Sequence, residues 1–282
     1  MNLNDSNQND NLNNDYLDNH NFNETLRLHF INVGQADSIL IQQSDKYALI
    51  DAGKPMKKSP AITTVEDYLS SENVKKLEFM VLTHQDYDHI ASAEKILRKH
   101  KVDMLYDNGI THTSQTYENL MQYVLDNDVN YTVVSAGDLL ESDFEGVRFE
   151  VLHPQKKLIK DGKKVDINQN SVVLKLTYGK TTALFMGDAE ETAEKAILKT
   201  DANVDSDVLK VGHHGSAAGS SEKFLSEVSP EYCIVSVGEG NSYGHPVVST
   251  VDRLFATGAT VKYTSGGTVI LESDGNKWEL VR

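Results

Sequence analysis

Three apolar runs in this chain stop on side chains that bind metals, and that repeated ending constrains the fold more than any bulk property. Residues 79–84, FMVLTH, run into Gln85-Asp86-Tyr87-Asp88-His89; residues 181–186 end in Gly187-Asp188; residues 208–211 end in Gly212-His213-His214-Gly215-Ser216. Short apolar runs bounded by turn residues read as buried strands, and open α/β sheets form their crevices outside the ends of such strands. His84, Asp86, Asp88 and His89 are four ligand-type side chains within six positions. Imidazole with carboxylate suits a divalent ion better than it suits a core. The plainer alternative there is a polar helix start capped by Asp88. Adjacent histidines point in different directions, so one of His213 and His214 is expected at the ion.

Between these runs, strands and helices alternate. Residues 26–33, 38–43 and 47–53 read as a meander of three strands, followed by a helix over 62–70, the strand 79–84 and a helix over 90–99. Further strands are expected at 102–106, 131–134, 147–152, 171–178, 181–187, 207–211 and 232–238, with helices at 116–127, 190–200, 222–228 and 248–257. Residues 261–273 read as a terminal hairpin turning at Gly266-Gly267. Residues 1–24 are dominated by Asn and Asp and hold too few apolar groups to offset chain entropy. They are expected to be a disordered tail, with 25–282 as one mixed α/β domain. Such a tail suits a cytoplasmic N-terminus or the tether of an exported protein whose signal lies outside this sequence.

The 282 residues carry 27 Lys+Arg against 42 Asp+Glu, a formal net charge of −15. That balance makes the chain a poor general nucleic-acid binder, so any nucleic-acid chemistry would have to work through a local site or bound cations. The single cysteine, Cys233, excludes an intramolecular disulfide framework and a Cys-rich zinc cluster. No window approaches the roughly 20 apolar residues of a membrane span, and no obligate protein partner is indicated. Ser216 lies in no Gly-x-Ser-x-Gly elbow, which argues against a serine hydrolase. His29 reads as a packed strand residue.

In order along the chain, His84-x-Asp86-x-Asp88-His89, Gly187-Asp188 and His213-His214-Gly215-Ser216 resemble the metallo-β-lactamase fold superfamily. The finer resemblance is to the hydrolase-like domain of the ComEC competence family, carried by INVGQADS (31–38), LIDAG (49–53), LHP (152–154), NQNSVVLKL (168–176) and NSYGHP (241–246). The resemblance implies a four-layer αββα sandwich with two divalent metal ions at one edge. It implies His84 and Asp86 on one ion, Asp88 and His89 on the other, Asp188 between them, and His213 as a further ligand with His214 beside it in a catalytic role. Asp86 stands where the superfamily has a second histidine, and a third histidine has no clear equivalent. The first site is therefore oxygen-rich, which shifts the expected metal toward Mn²⁺, with Zn²⁺ or Mg²⁺ as alternatives. Asn32 and Ala36 also depart from the competence pattern, where Asp and Gly are usual.

A metal pair of this kind activates water for hydrolysis without a covalent enzyme intermediate. His245 is the candidate proton donor to the leaving group, Asn241, Tyr243 and Ser216 are candidate substrate contacts, and Asp51 is expected to orient a ligand histidine from behind. The leading expectation is a phosphodiesterase or nuclease acting on DNA. The alternatives are a hydrolase of a small phosphoester or cell-envelope ester, and a binding module without catalysis.

Overall fold

The computed structural model describes residues 24–55 and 62–282; the proposed tail, apart from Glu24, lies outside them. Alternation of apolar residues along each strand sends odd and even positions to opposite faces, and here each face finds its own core. Strands β1 (Leu26–Phe30), β2 (Ile39–Gln43) and β3 (Lys46–Ile50) form the expected antiparallel meander. β4 (Lys76–Val81), β5 (Lys101–Asp107) and β6 (Tyr131–Val133) continue the sheet in parallel. The second sheet holds β7 (Val147–His153), β10 (Val173–Tyr178), β11 (Thr181–Phe185), β12 (Val208–Lys210), β13 (Tyr232–Val235) and β14 (Thr260–Tyr263). A small hairpin, β8 (Lys160–Asp161) with β9 (Lys164–Val165), stands outside both.

The inner faces meet in one core. Phe30, Ile41, Phe79 and Val81 of the first sheet pack with Phe149, Leu176 and Phe185 of the second, and Phe79 and Phe149 cross edge to face at 4.9 Å between centroids. The outer face of the first sheet packs Leu40, Leu49 and Met80 with Leu69, Ile96 and Leu120, from helices α1 (Val65–Ser71), α3 (Ala93–Lys99) and α4 (Gln115–Asp126). The outer face of the second packs Leu184 and Leu209 with Ile197, Phe224 and Leu254, from α5 (Glu191–Ile197), α6 (Glu222–Val228) and α7 (Val248–Ala256). Two sheets face to face with helices on both outer sides make the expected αββα sandwich. Among the described residues, no helix is long and apolar enough to cross a membrane.

The terminal hairpin does not form. β14 pairs in parallel with β13 in the second sheet, whereas β15 (Val269–Ser273) pairs antiparallel with β1 in the first and carries β16 (Trp278–Leu280) on its other edge. Thr264 decides this: its hydroxyl binds the backbone of Val237, anchoring a one-turn helix that carries the chain from one sheet to the other. The turn glycines therefore mark a crossover. The expected helix over 90–99 is also divided, into α2 (Tyr87–Ile90) and α3.

His29 in β1 is buried, with Nδ1 2.8 Å from the Tyr68 hydroxyl and Nε2 3.1 Å from Gln42 Oε1. Burial lowers its pKa from the ordinary 6.5 to about 4, against a smaller opposing effect of Gln42. Burial likewise takes His153 to about 4. The unfolded chain takes up these protons near pH 6.5 while the folded chain refuses them until about pH 4. The stability contribution is thus complete above pH 6.5 and is lost as pH falls through that window, by at most about 3 kcal/mol per histidine. Urea midpoints measured from pH 7.5 to 4.5 should fall accordingly, and His29→Gln should flatten the curve; an unchanged slope would refute the assignment.

Candidate metal centre

Every functional segment leaves a strand at the same edge of the sandwich. β3 delivers Asp51, β4 delivers Thr83 and His84, β11 delivers Asp188, and β12 delivers His213 and His214 through a one-turn helix over Gly212–Gly215. The turns are tight. Asp51, His213 and His214 have φ of 58°, 44° and 52°, left-handed values that cost a non-glycine residue energy and persist only where surrounding contacts impose them. Gly187, at φ 53°, has no room for a side chain: a Cβ would lie 2.9 Å from that of Thr83 and 3.0 Å from that of Ser171.

Asp188 sits at the centre, with 3 % of its surface exposed. Its Oδ1 is 3.4 Å from His89 Nε2, and its Oδ2 is 3.5, 3.7 and 3.9 Å from the Nε2 atoms of His213, His214 and His84. Asp88 Oδ2 lies 3.4 Å from His214 Nε2, and Asp86 Oδ2 lies 3.6 Å from His84 Nε2. Asp86 occupies the cap position of α2 but its side chain makes no capping bond, so helix capping does not account for this carboxylate.

The rear of each ring is held. His89 Nδ1 donates to Asp51 Oδ2 at 2.8 Å, and Asp51 also accepts from the Thr83 amide and hydroxyl at 2.8 Å each. His214 Nδ1 donates to the Ser236 carbonyl at 2.8 Å. With Nδ1 carrying the proton, each neutral ring turns an electron pair on Nε2 toward the Asp188 carboxylate. His84 Nε2, His89 Nε2, His214 Nε2 and Asp188 Oδ1 are all buried without a hydrogen-bond partner. Electron pairs facing one another in a buried space call for a cation, and the residues present therefore fit divalent metal.

The same convergence governs protonation. Burial works against the charge on His89, yet Asp188 and Asp51 hold its pKa well above the ordinary value. Burial also opposes ionisation of Asp188, and His89 and His214 nevertheless hold it well below the carboxylate range. Asp88 is lowered, against burial, by His214 and His89. A bound cation would take the place of those imidazolium charges.

Among the described residues, four groups of side chains bring one donor atom each within 4.8 Å: His84–His89–Asp188, Asp88–His89–His214, Asp37–Asp188–His214 and Asp37–Asp51–His89. Asp37 already has a cation, because the fully buried Lys210 ammonium pairs with its Oδ2 and donates to the Gly187 carbonyl. The first two groups are therefore the ones open to metal. His213 belongs to none of the four; it is about a quarter exposed, and its Nδ1 is bonded to Glu190 Oε1 at 2.7 Å.

The remaining expected residues lie around this centre. The His245 ring is 5.5 Å from that of His213 and stacks on the exposed Tyr243 at 6.0 Å. Asn241 does not face the centre with free groups: its amide donates to the Gly238 and His245 carbonyls and accepts from the Tyr243 and His245 amides. Ser216 donates to Glu190 at 2.9 Å. Asp37, Lys210 and Glu190 are the residues that the sequence reading missed. Lys210 had a signal, since a lone lysine inside a buried strand must find a counter-charge.

The family model of the metallo-beta-lactamase superfamily matches residues 31–155. The chain is 30% identical over 230 residues to ComE operon protein 3 of Bacillus subtilis (strain 168), covering 77% of this chain and 29% of that protein. It is 31% identical over 243 residues to recombination protein 2 of Haemophilus influenzae, covering 86% and 28%, and 30% identical to competence protein ComA of Neisseria gonorrhoeae, covering 80% and 29%. The chain thus spans less than a third of the length of these relatives. Among solved structures it superimposes on the metallo-beta-lactamase fold protein YhfI of Bacillus subtilis with a TM-score of 0.53, at 14% identity over 88% of this chain and 100% of that one. CmlA, a diiron beta-hydroxylase from Streptomyces venezuelae, gives a TM-score of 0.56 at 12% identity, over 84% and 52%. The sandwich, the ligand-bearing strand ends and these matches together place the chain in the metallo-β-lactamase superfamily, with competence-related proteins among its relatives.

Proposed function

We propose that this protein is a metal-dependent phosphodiesterase that cleaves DNA. The observation that carries the reading is the set of inward, partnerless donors around Asp188; the competence-related relatives favour DNA as the substrate. In this reading His84 and Asp188 would hold one divalent ion, joined by Asp86, which lies outside the four donor groups but has Oδ2 3.6 Å from His84 Nε2, and Asp88, His89 and His214 would hold the other. The carboxylate content favours Mn²⁺, with Mg²⁺ or Zn²⁺ as alternatives. Bound ions would acidify a water and neutralise the phosphoryl oxygens.

The chain's own groups do the rest. His214, buried and fixed by Ser236, suits a ligand better than a proton carrier, so the roles first expected for the paired histidines are exchanged. His213, backed by the Glu190 carboxylate, is placed to hold or pass a proton at Nε2. His245, at the rim, protonates the leaving oxygen as its bond to phosphorus breaks. Burial and the neighbouring His213 and His214 lower its pKa, which makes its imidazolium a stronger acid and a scarcer one at neutral pH. Tyr243 is the exposed group beside it for substrate contact.

The test uses metal-stripped protein titrated with Mn²⁺, Mg²⁺ and Zn²⁺ on bis(p-nitrophenyl) phosphate and on single- and double-stranded DNA, with Asp88→Ala as the control. Cleavage of both diester and DNA, strongest with Mn²⁺ and absent in the variant, is the expected result. Diester cleavage without DNA cleavage would transfer the reading to a small phosphoester, and no cleavage with any metal would leave a binding module.

A further inference from the structure

We propose that the small hairpin β8–β9 and the groove beside it form the docking site for a polynucleotide strand. The inference deepens the DNA-cleaving function proposed above and rests on it for the identity of the polyanion. Five of the chain's 27 basic residues, Lys156, Lys157, Lys160, Lys163 and Lys164, fall within nine consecutive positions of a protein whose net charge is −15. All five are exposed. Among the described residues none of them makes an ion pair, whereas Lys76, Lys95, Lys101, Lys195 and Lys277 all do. Unpaired ammonium groups concentrated on one projection form the local basic patch that the overall charge withholds.

Position turns the patch into a site. The fully buried Asn170 clamps the base of the hairpin: its Oδ1 accepts from the Ile159 amide at 2.9 Å, and its Nδ2 donates to the carbonyls of Ile159 at 2.8 Å and Asp166 at 2.5 Å. The next residue, Ser171, has its Oγ 3.4 Å from His84 Nδ1 and accepts from the Asp188 amide at 3.1 Å. The lysine-bearing hairpin is therefore tied to the backbone one residue from the metal centre. Beside it runs a groove of about 650 Å³, with Gly109–Thr113 on one wall and Leu158, Lys164 and Val165 on the other. Asn108, at the root of the first wall, donates to the Asn170 carbonyl and accepts from the Gln85 amide, between His84 and Asp86. The groove thus flanks the His84 side of the centre. A strand lying in it would place successive phosphates near the lysines while another reached the centre.

The test is fluorescence anisotropy with a labelled oligothymidylate of about twenty nucleotides and metal-free protein at several salt concentrations. Each phosphate neutralised on a single strand contributes roughly 0.7 to the slope of log K against log salt. Combining Lys156→Gln, Lys157→Gln, Lys160→Gln, Lys163→Gln and Lys164→Gln should weaken binding at least about tenfold and lower the slope by about 3. A charge-matched control with glutamine at Lys75, Lys99, Lys101, Lys199 and Lys277 should keep most of the affinity. Equal losses in both variants, or no binding by the wild type, would overturn the proposal. So would binding to phosphatidylglycerol vesicles in place of the oligonucleotide. If the wild type binds through the hairpin but cleaves no DNA with any metal, the docking site stands and the nuclease reading falls. If DNA cleavage persists with an unchanged KM in the hairpin variant, the nuclease reading stands and the docking site falls.

Discussion

Asp188→Ala should lower hydrolysis by at least about a thousandfold and abolish tight metal binding, with the sandwich retained. Among the centre's carboxylates only Asp188 approaches four imidazoles, at 3.4 to 3.9 Å. Its removal takes a donor from the His84–His89–Asp188 group and the central charge from the whole site. The effect exceeds that of losing an outer hydrogen bond, for which 10–100-fold is typical. Because the chain reverses there at Gly187 rather than through the carboxylate, the strand before it should not move. Metal content measured by plasma mass spectrometry, with circular dichroism and turnover on the same samples, checks the prediction. A folded variant with full occupancy and rate would remove Asp188 from the centre.

The second large effect concerns Lys210. Its side chain lies between the sheets, on β12 of the second, and its counter-ion Asp37 stands just before β2 of the first. Both are almost wholly buried. Lys210→Met would leave a buried carboxylate without its cation, which typically costs about 3–5 kcal/mol. At roughly 2–4 °C per kcal/mol for a domain of this size, the melting temperature should fall by about 10 °C. Adding Asp37→Leu removes the stranded charge and should restore most of the loss, since apolar replacement of a whole buried pair is often neutral. Thermal melts of the two single variants and the double variant in chelator, at a pH near 8, complete the cycle. Additive losses would show that the pair does not act as a unit.

Much of this molecule was legible in sequence because its signals are local. Strand periodicity separates Leu28, Phe30, Ile39 and Ile41, which face the second sheet, from Leu40 and Leu49, which face the helices. The ligand-bearing endings after β4, β11 and β12 place the centre at one sheet edge before any contact is known. Boundaries were less legible. Residues 79–84 read as one strand, but β4 stops at Val81, because the Thr83 amide is taken by the Asp51 carboxylate. Residues 26–33 shorten as well: the Ile31 amide still bonds the Ser38 carbonyl in the β1–β2 register, and the Val33 amide then turns back to the Ile31 carbonyl.

By itself, then, the order of apolar runs and metal-binding side chains pointed to a mixed α/β domain with donor side chains from His84 to His214 at its strand ends, and the family resemblance that those motifs carry implied the αββα sandwich. The tertiary structure decided which sheet receives β14 and which receives β15, since a strand's alternation states that a face is buried and not against what. It also decided which of two adjacent histidines enters the donor groups, because a left-handed turn sets the directions of both rings and only His214 is buried there. Lys210 and Asp37 meet across the two sheets, and Asn170 ties the lysine hairpin beside His84. Those pairings depend on distances between segments far apart in the chain, which only packing sets.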